Sequence, residues 1–286
     1  MSDHDWHHPV DSSRIELADV DIADEFFTRV EVLHVHRGDA QGAGAGLATP
    51  QVDLAAKRRC VAAYSAHTVT GDDVRAYDDW AKYRSEWWTR YFTGELSYFW
   101  PTQLDQPEID NNGYRWFSRS DVFALAATES EHRELHTAVA AYVWGLGENA
   151  YSIGRLVRAF TTNADTVEDN LRKSASILES DGAVAAYQSM LRGGEAQTKF
   201  MGPAYFTKFL FFIGYQNSAV TGLRPLILDK RVATELRARG VFGPKADNAD
   251  WPSTLYERYL TYCQDQNPAD PEAAEAELFI AGRAAD

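Results

Sequence analysis

The chain of 286 residues has only two cysteines, Cys60 and Cys263, far apart and with no Cys-x-x-Cys. That excludes both a thiolate-bound zinc finger and a four-cysteine iron–sulfur cluster. No run approaches the roughly 18 apolar residues of a membrane helix. The opening MSDHDWHHPVDSSR lacks the basic-then-apolar order of a leader. A cytoplasmic protein with no membrane partner is therefore expected. Nucleotide-binding glycine loops and internal repeats are missing too, so no nucleotide cofactor is expected. Basic charge is short: 28 Lys and Arg stand against 42 Asp and Glu, a net −14. Such a balance opposes general binding to phosphate backbones. The deficit is uneven, however, because residues 151–245 hold 13 basic against 8 acidic side chains.

At 45% hydrophobic residues, the chain can bury one large core or two small ones. Residues 1–50 read as an acidic N-terminal segment ending in a linker, GDAQGAGAGLATP. His4, His7 and His8 are either metal ligands or a solvated tail, and residues 26–36 fit a strand or a short helix. Residues 51–140 form an aromatic-rich helical region. In it Trp80, Tyr83, Trp87 and Tyr91 recur at i, i+3, i+7 and i+11, which predicts one helix face. That face serves either core packing or a platform for an unpaired base. The pattern breaks at 101–113, and a helix is expected over 120–127. His132 and His136 are one turn apart, but Glu134 follows the first histidine by two positions. The zinc-protease order places it immediately after, so no metal site is predicted.

Residues 141–286 carry the chemistry. Trp144-Gly145-Leu146-Gly147 opens onto a helix over 151–160 bearing Arg155 and Arg158, and amphipathic helices over 166–178 and 184–191 follow. Residues 199–240 then read KFMGPAYFTKFLFFIGYQNSAVTGLRPLILDKRVATELRARG. Gly202-Pro203 predicts a turn, with glycine supplying positive φ and proline opening a helix. In the helix over 206–214, Lys208 sits among Phe206, Phe209, Leu210, Phe211 and Phe212. After the apolar 225–228, Asp229 stands where a side chain caps the next helix.

This order of hairpin, lysine-bearing apolar helix, loop and hydrophobic-Asp-helix resembles the helix-hairpin-helix DNA glycosylases. Within them it is most similar to the 8-oxoguanine DNA glycosylase group and its bacterial relatives. MGPAYFTKFLFFIG resembles their hairpin and catalytic-lysine segment, and LILDKRVATEL the segment of their aspartate. The hairpin departs from the family in lacking its usual Gly-x-Gly. The paucity of cysteine sets this chain apart from the cluster-bearing branch of that superfamily. The resemblance implies an all-α fold, with a few short strands near the N-terminus and a cleft between helical domains. It implies no cofactor, and a monomer acting on double-stranded DNA that contains a modified base.

Cleaving an N-glycosidic bond builds positive charge on the sugar, which a carboxylate near C1′ stabilises. A neutral amine can attack C1′ and form a Schiff base when burial lowers its pKa. The resemblance assigns these roles to Asp229 and Lys208; the plain alternatives are a helix cap and a lysine reaching for water. The similarity extends to the terminal helix, where Glu275 and Phe279 take the places of a base-reading glutamine and a stacking phenylalanine. The alternative there is an acidic tail helix with Phe279 in the core. A carboxylate only accepts hydrogen bonds, so Glu275 suits donor groups such as guanine N1–H and N2–H₂ or the cytosine amino group. Gly202, Pro203 and Tyr205 are the expected phosphate-gripping segment. Asn149, Tyr151 and Arg155 are expected against the strand opposite an extruded base, a plain helix cap being the other reading. Oxidised guanine is the substrate implied, with Lys-dependent strand cleavage. A hypermodified phage base such as glucosylated hydroxymethylcytosine, or a non-catalytic DNA-binding module, are the alternatives.

Overall fold

The computed structural model describes residues 80–147, 149–243 and 251–283. The histidines near the start, Cys60, the segment 26–36 and the linker lie outside the described residues. Among those described there are eleven α-helices and one two-stranded antiparallel sheet, so the protein is mostly helical. In chain order the elements begin with β1 (Trp80–Tyr83), α1 (Ser85–Thr89), β2 (Arg115–Ser118), α2 (Arg119–Ala126), α3 (Arg133–Leu146), α4 (Ala150–Leu156) and α5 (Arg158–Thr161). They continue with α6 (Val167–Asp181), α7 (Ala183–Met190), α8 (Pro203–Gly214), α9 (Lys230–Ala238), α10 (Ser253–Gln266) and α11 (Pro271–Arg283).

Two helices buried on almost every side form the centre. Helix α3 buries Leu135, Val139, Tyr142, Val143 and Leu146, and α8 buries Phe206 through Gly214 without a break. A helix with no polar face is stable only when neighbours surround it. Helix α3 accordingly packs on α8, α2, α6 and β1, and α8 also meets α6, α7 and α2. One continuous apolar cluster runs from Ala81 in β1 to Leu278 in α11.

The aromatic segment departs from the helical face expected for it. Trp80 and Tyr83 lie on β1, which pairs with β2 in the register Trp80↔Ser118 and Tyr83↔Arg115. Trp87 lies on the short α1, and Tyr91 beyond its end. Cross-strand pairing overrides the local 3.6-residue spacing, and the period of two then decides burial: Ala81 and Tyr83 point inward while Trp80 and Lys82 stay half-buried. The Gly202 turn differs as well. Its φ is −83°, and the left-handed residue is Phe200, at φ 69°, whose ring lies under the Arg158 guanidinium at 4.0 Å. Pro203 does open α8, as its fixed φ favours. The helix expected over 151–160 is two short helices, α4 and α5.

Between α8 and α9 an extended stretch, residues 226–228, is buried inside a helical protein. Its backbone groups need partners there, because no water reaches them. Three hydroxyls supply them. Tyr256 Oη donates to Leu226 O (2.9 Å) and accepts from Leu226 N (3.2 Å), and Tyr259 Oη donates to Ile227 O (2.8 Å). Thr207 Oγ1 accepts from Leu228 N (3.1 Å) while donating to Pro203 O (2.7 Å). Thr207 thus fixes the register of α8 against this stretch, and the next residue on each side is Lys208 and Asp229. Replacing Thr207 by valine keeps the shape and removes the acceptor for a buried N–H. We expect a loss of about 1–3 kcal/mol in urea-induced unfolding. An unchanged midpoint would mean that the register is held elsewhere.

Candidate active site

Asp229 is the N-cap of α9, and its two carboxylate oxygens have different tasks. Oδ1 accepts from Val232 N at 3.1 Å, closing the first turn. Oδ2 lies 3.7 Å from Lys208 Nζ. Both side chains are almost fully enclosed, Lys208 at 2% and Asp229 at 1% exposure. The capping role and the pairing with lysine are therefore compatible in one residue. The lysine does not reach for water: Nζ donates to Ala204 O, one turn back on its own helix, at 2.9 Å. Burial pushes the Lys208 ammonium below the usual lysine range, Asp229 and Glu275 pull it back up, and Arg119 adds to the depression.

The lysine fits because α3 has no side chain where it passes. A methyl at Gly145 would stand 2.8 Å from Lys208 Cε and 2.9 Å from Cδ. Glycine in a helix interior costs about 1 kcal/mol relative to alanine, and here the space it leaves is filled by the lysine stem. From Gly145 the chain leaves α3 through Gly147, at φ 59°, a backbone shape in which glycine is at ease. Helix α4 begins three residues later. Its second residue, Tyr151, is 94% exposed, and Arg155 is exposed one turn on. Asn149, the N-cap of α4, is half-buried and makes no side-chain cap.

Helix α11 closes the site from the C-terminal side. Tyr215, at the end of α8, accepts from Glu272 N (3.1 Å) and donates to Asp270 Oδ1 (3.1 Å), which docks the start of α11. Near its other end, a methyl at Gly282 would strike the Arg231 carbonyl, so glycine allows α11 to lie against the backbone of α9. Held at both ends, α11 turns Glu275 and Phe279 inward. They line one small cavity together with Lys208, Asp229, Arg119, Trp80, Ala81, Trp144, Gly145 and Ile227, about 30 Å³ in volume. That is room for a water or two. An open groove of about 450 Å³ lined by Val241, Glu257, Arg258 and Asp265 lies apart from these groups.

The four residues expected to do chemistry or read a base, Lys208, Asp229, Glu275 and Phe279, thus meet in one place. Gly202, Pro203 and Tyr205 do not line it. Gly202 is exposed, Pro203 is buried, and Tyr205 packs its ring 4.6 Å from that of Tyr142. Burial and the charge of Asp229 push the Tyr205 phenol upward. Asn149, Tyr151 and Arg155 also lie outside the cavity wall. No group of three or more His, Cys, Asp or Glu able to hold a metal occurs among the described residues.

Sequence reasoning missed Arg119, which is buried and the first residue of α2. Its Nη1 donates to Glu272 Oε1 at 3.1 Å and to Glu275 Oε2 at 3.4 Å, and its guanidinium lies 5.1 Å from the Trp144 ring centre. A signal was present. The capping box of Ser118 and Asp121 marks a helix start, and a cation in the first turn opposes the helix dipole. Such a residue calls for anionic partners. Trp80, expected on a helix face for core packing or base stacking, lines this cavity from β1, and Gly145, expected in the turn ahead of α4, lies within α3.

Gly145→Ala tests the packing of the lysine directly. The variant should fold, since alanine favours the helix, while the Lys208 Cε resonance in NMR moves and its titration, which burial holds below the usual lysine range, changes. An unchanged Lys208 signal would mean that α3 absorbs the methyl and that the glycine is not there for the lysine.

Neither the curated proteins nor the solved structures provide a match. The family model OGG, described as "Putative 8-oxoguanine DNA glycosylase OGG-like protein", matches residues 74–280. That span is well over half of the chain and contains Lys208, Asp229, Glu275 and Phe279, so the protein belongs to this OGG-like family of DNA glycosylases.

Proposed function

We propose that the protein excises oxidised guanine, 8-oxoguanine first among such bases, from duplex DNA and then cleaves the strand through a lysine adduct. The observation that carries this reading is the enclosed pair of Lys208 and Asp229, 3.7 Å apart, in a cavity walled by Trp80, Trp144 and Phe279. A glycosidic carbon is out of reach inside the base stack, so the nucleotide must be extruded. Aromatic walls suit the faces of such a base. A cavity of about 30 Å³ admits it only after side chains move, and the half-buried Trp80 and Phe279 are the ones with room to do so.

In the reaction, Asp229 faces the positive charge that develops on the sugar as the base departs with the bonding electron pair. Lys208, neutral, bonds to C1′; a proton leaves Nζ and the C1′–O4′ bond breaks, with O4′ taking up a proton, to give an iminium, and removal of a C2′ proton by a base then expels the 3′ phosphate. Lowering of its pKa by burial raises the neutral fraction at a given pH. The exposed Tyr151 stands on a helix joined by a short turn to Gly145, which touches the lysine. It is placed to fill the gap that an extruded base leaves, with Asn149 beside it facing the opposite strand. Arg155 and Gly202, both exposed, serve phosphate contacts, in the part of the chain with a basic excess, while the buried Pro203 only opens α8 beside them. We place the chain among the helix-hairpin-helix glycosylases on the strength of α7, the turn at 191–202 and α8.

Base release from a duplex with 8-oxoguanine opposite cytosine tests the reading. Asp229→Asn retains an oxygen for the Val232 cap, so the fold should persist while release falls about 10²–10³-fold, the usual loss when charge stabilisation is removed. The strand-cleavage step should speed up as pH rises and level off, with a midpoint below the usual lysine range, because deprotonation makes the nucleophile and burial depresses the folded-state pKa. No release of 8-oxoguanine, with release of a glucosylated hydroxymethylcytosine instead, would move the assignment to a phage base. No release from either would leave a DNA-binding module.

A further inference from the structure

We infer that Arg119 is a positioning residue that sets base specificity: it holds Glu275 as an ionised, acceptor-only reader, which makes the pocket selective for a base with two adjacent donors on one edge. This rests on the glycosylase reading and deepens it. Glu275 is 1% exposed and lines the cavity beside Lys208 and Asp229. An isolated carboxylate in such a place would take up a proton and become a donor. The Arg119 guanidinium prevents this, since Nη1 bridges Glu275 Oε2 and Glu272 Oε1. It is itself clamped between the Trp144 and Phe211 rings, 5.1 and 5.2 Å from their centres. Fixed on three sides, it leaves the carboxylate one orientation.

An ionised carboxylate accepts on both oxygens and donates nothing. Among the standard bases, guanine alone presents two neighbouring donors on its pairing edge, N1–H and N2–H₂. Adenine and cytosine follow their amino group with a ring acceptor, and thymine sets one N–H between two carbonyls. The charge state that Arg119 enforces therefore points to a guanine-type edge, read on the side of the ring away from the oxidised C8.

The decisive comparison is single-turnover release of 8-oxoguanine and of 8-oxohypoxanthine, which differs only in lacking the exocyclic amine. The wild type should favour 8-oxoguanine by about 10- to 100-fold, the discrimination that one well-placed bidentate contact supplies. Arg119→Met should bring the two rates within about 3-fold of each other, and Arg119→Lys should restore part of the preference, which a purely structural defect would not do. Removing the guanidinium leaves two buried carboxylates, so Arg119→Met can fail to fold. Glu275→Met, of similar size but with no acceptor, then decides, and it should also flatten the preference. A preference that survives in Glu275→Met overturns the reading of the base by Glu275, one that survives in folded Arg119→Met overturns the assignment of Arg119, and none in the wild type overturns both. Release of neither base by the wild type overturns the oxidised-guanine reading and this inference with it.

Discussion

Everything about this site depends on keeping an ammonium and a carboxylate out of water and a few ångströms apart. Enclosing charges is costly unless partners and geometry are fixed beforehand. The chain fixes them with neutral hydroxyls. Thr207 locks α8 to the extended stretch before α9, while Tyr256 and Tyr259 from α10 satisfy the rest of that stretch. Lys208 and Asp229 are the next residues after the locked pair, so their separation is set by backbone hydrogen bonds rather than by their own attraction. A site built this way remains arranged when either charge changes, which a reaction that consumes the lysine proton requires.

Around that pair the site is a balance of opposite charges in an aromatic shell. Arg119 sits between Glu272 and Glu275, and Arg231 lies over the Phe279 ring at 5.3 Å. Each element contributes one end: α2 its first residue, α3 the gap at Gly145, α9 its cap, α11 its inner face. The cavity is small in this arrangement, which keeps the lysine from bulk water and strengthens each interaction inside. On the proposed reading, opening falls to Trp80 and Phe279, which are half-buried, while the charged groups are held by their own partners. Specificity and chemistry are thereby separated into different residues of one pocket.

The parts of this design that are local in sequence could be read from it. Lys208 stands out because a lysine among phenylalanines on a helix that buries every side must be enclosed, and Asp229 because an acceptor after an apolar run marks a helix start. Glu275 and Phe279 came only from the resemblance of the last helix to that of the oxoguanine glycosylases. What escaped was non-local. Trp80 and Tyr83 look helical in spacing until β2, more than 30 residues on, pairs with them. Arg119 finds its carboxylates 153 and 156 positions away, and no window on the sequence contains both. The positive φ expected at Gly202 went instead to Phe200, where the cation of Arg158 covers the ring. Helix α10 was not anticipated; its role is to deliver two tyrosine hydroxyls to another segment's backbone.

The central claim is that the enclosed lysine bonds to the sugar. Borohydride reduction during reaction with an 8-oxoguanine duplex, followed by proteolysis and mass mapping of the cross-linked peptide, tests it most directly. The account predicts a stable protein–DNA adduct on Lys208, absent in Lys208→Gln while that variant still binds the duplex. Base release with no adduct, or an adduct on another residue, would contradict it.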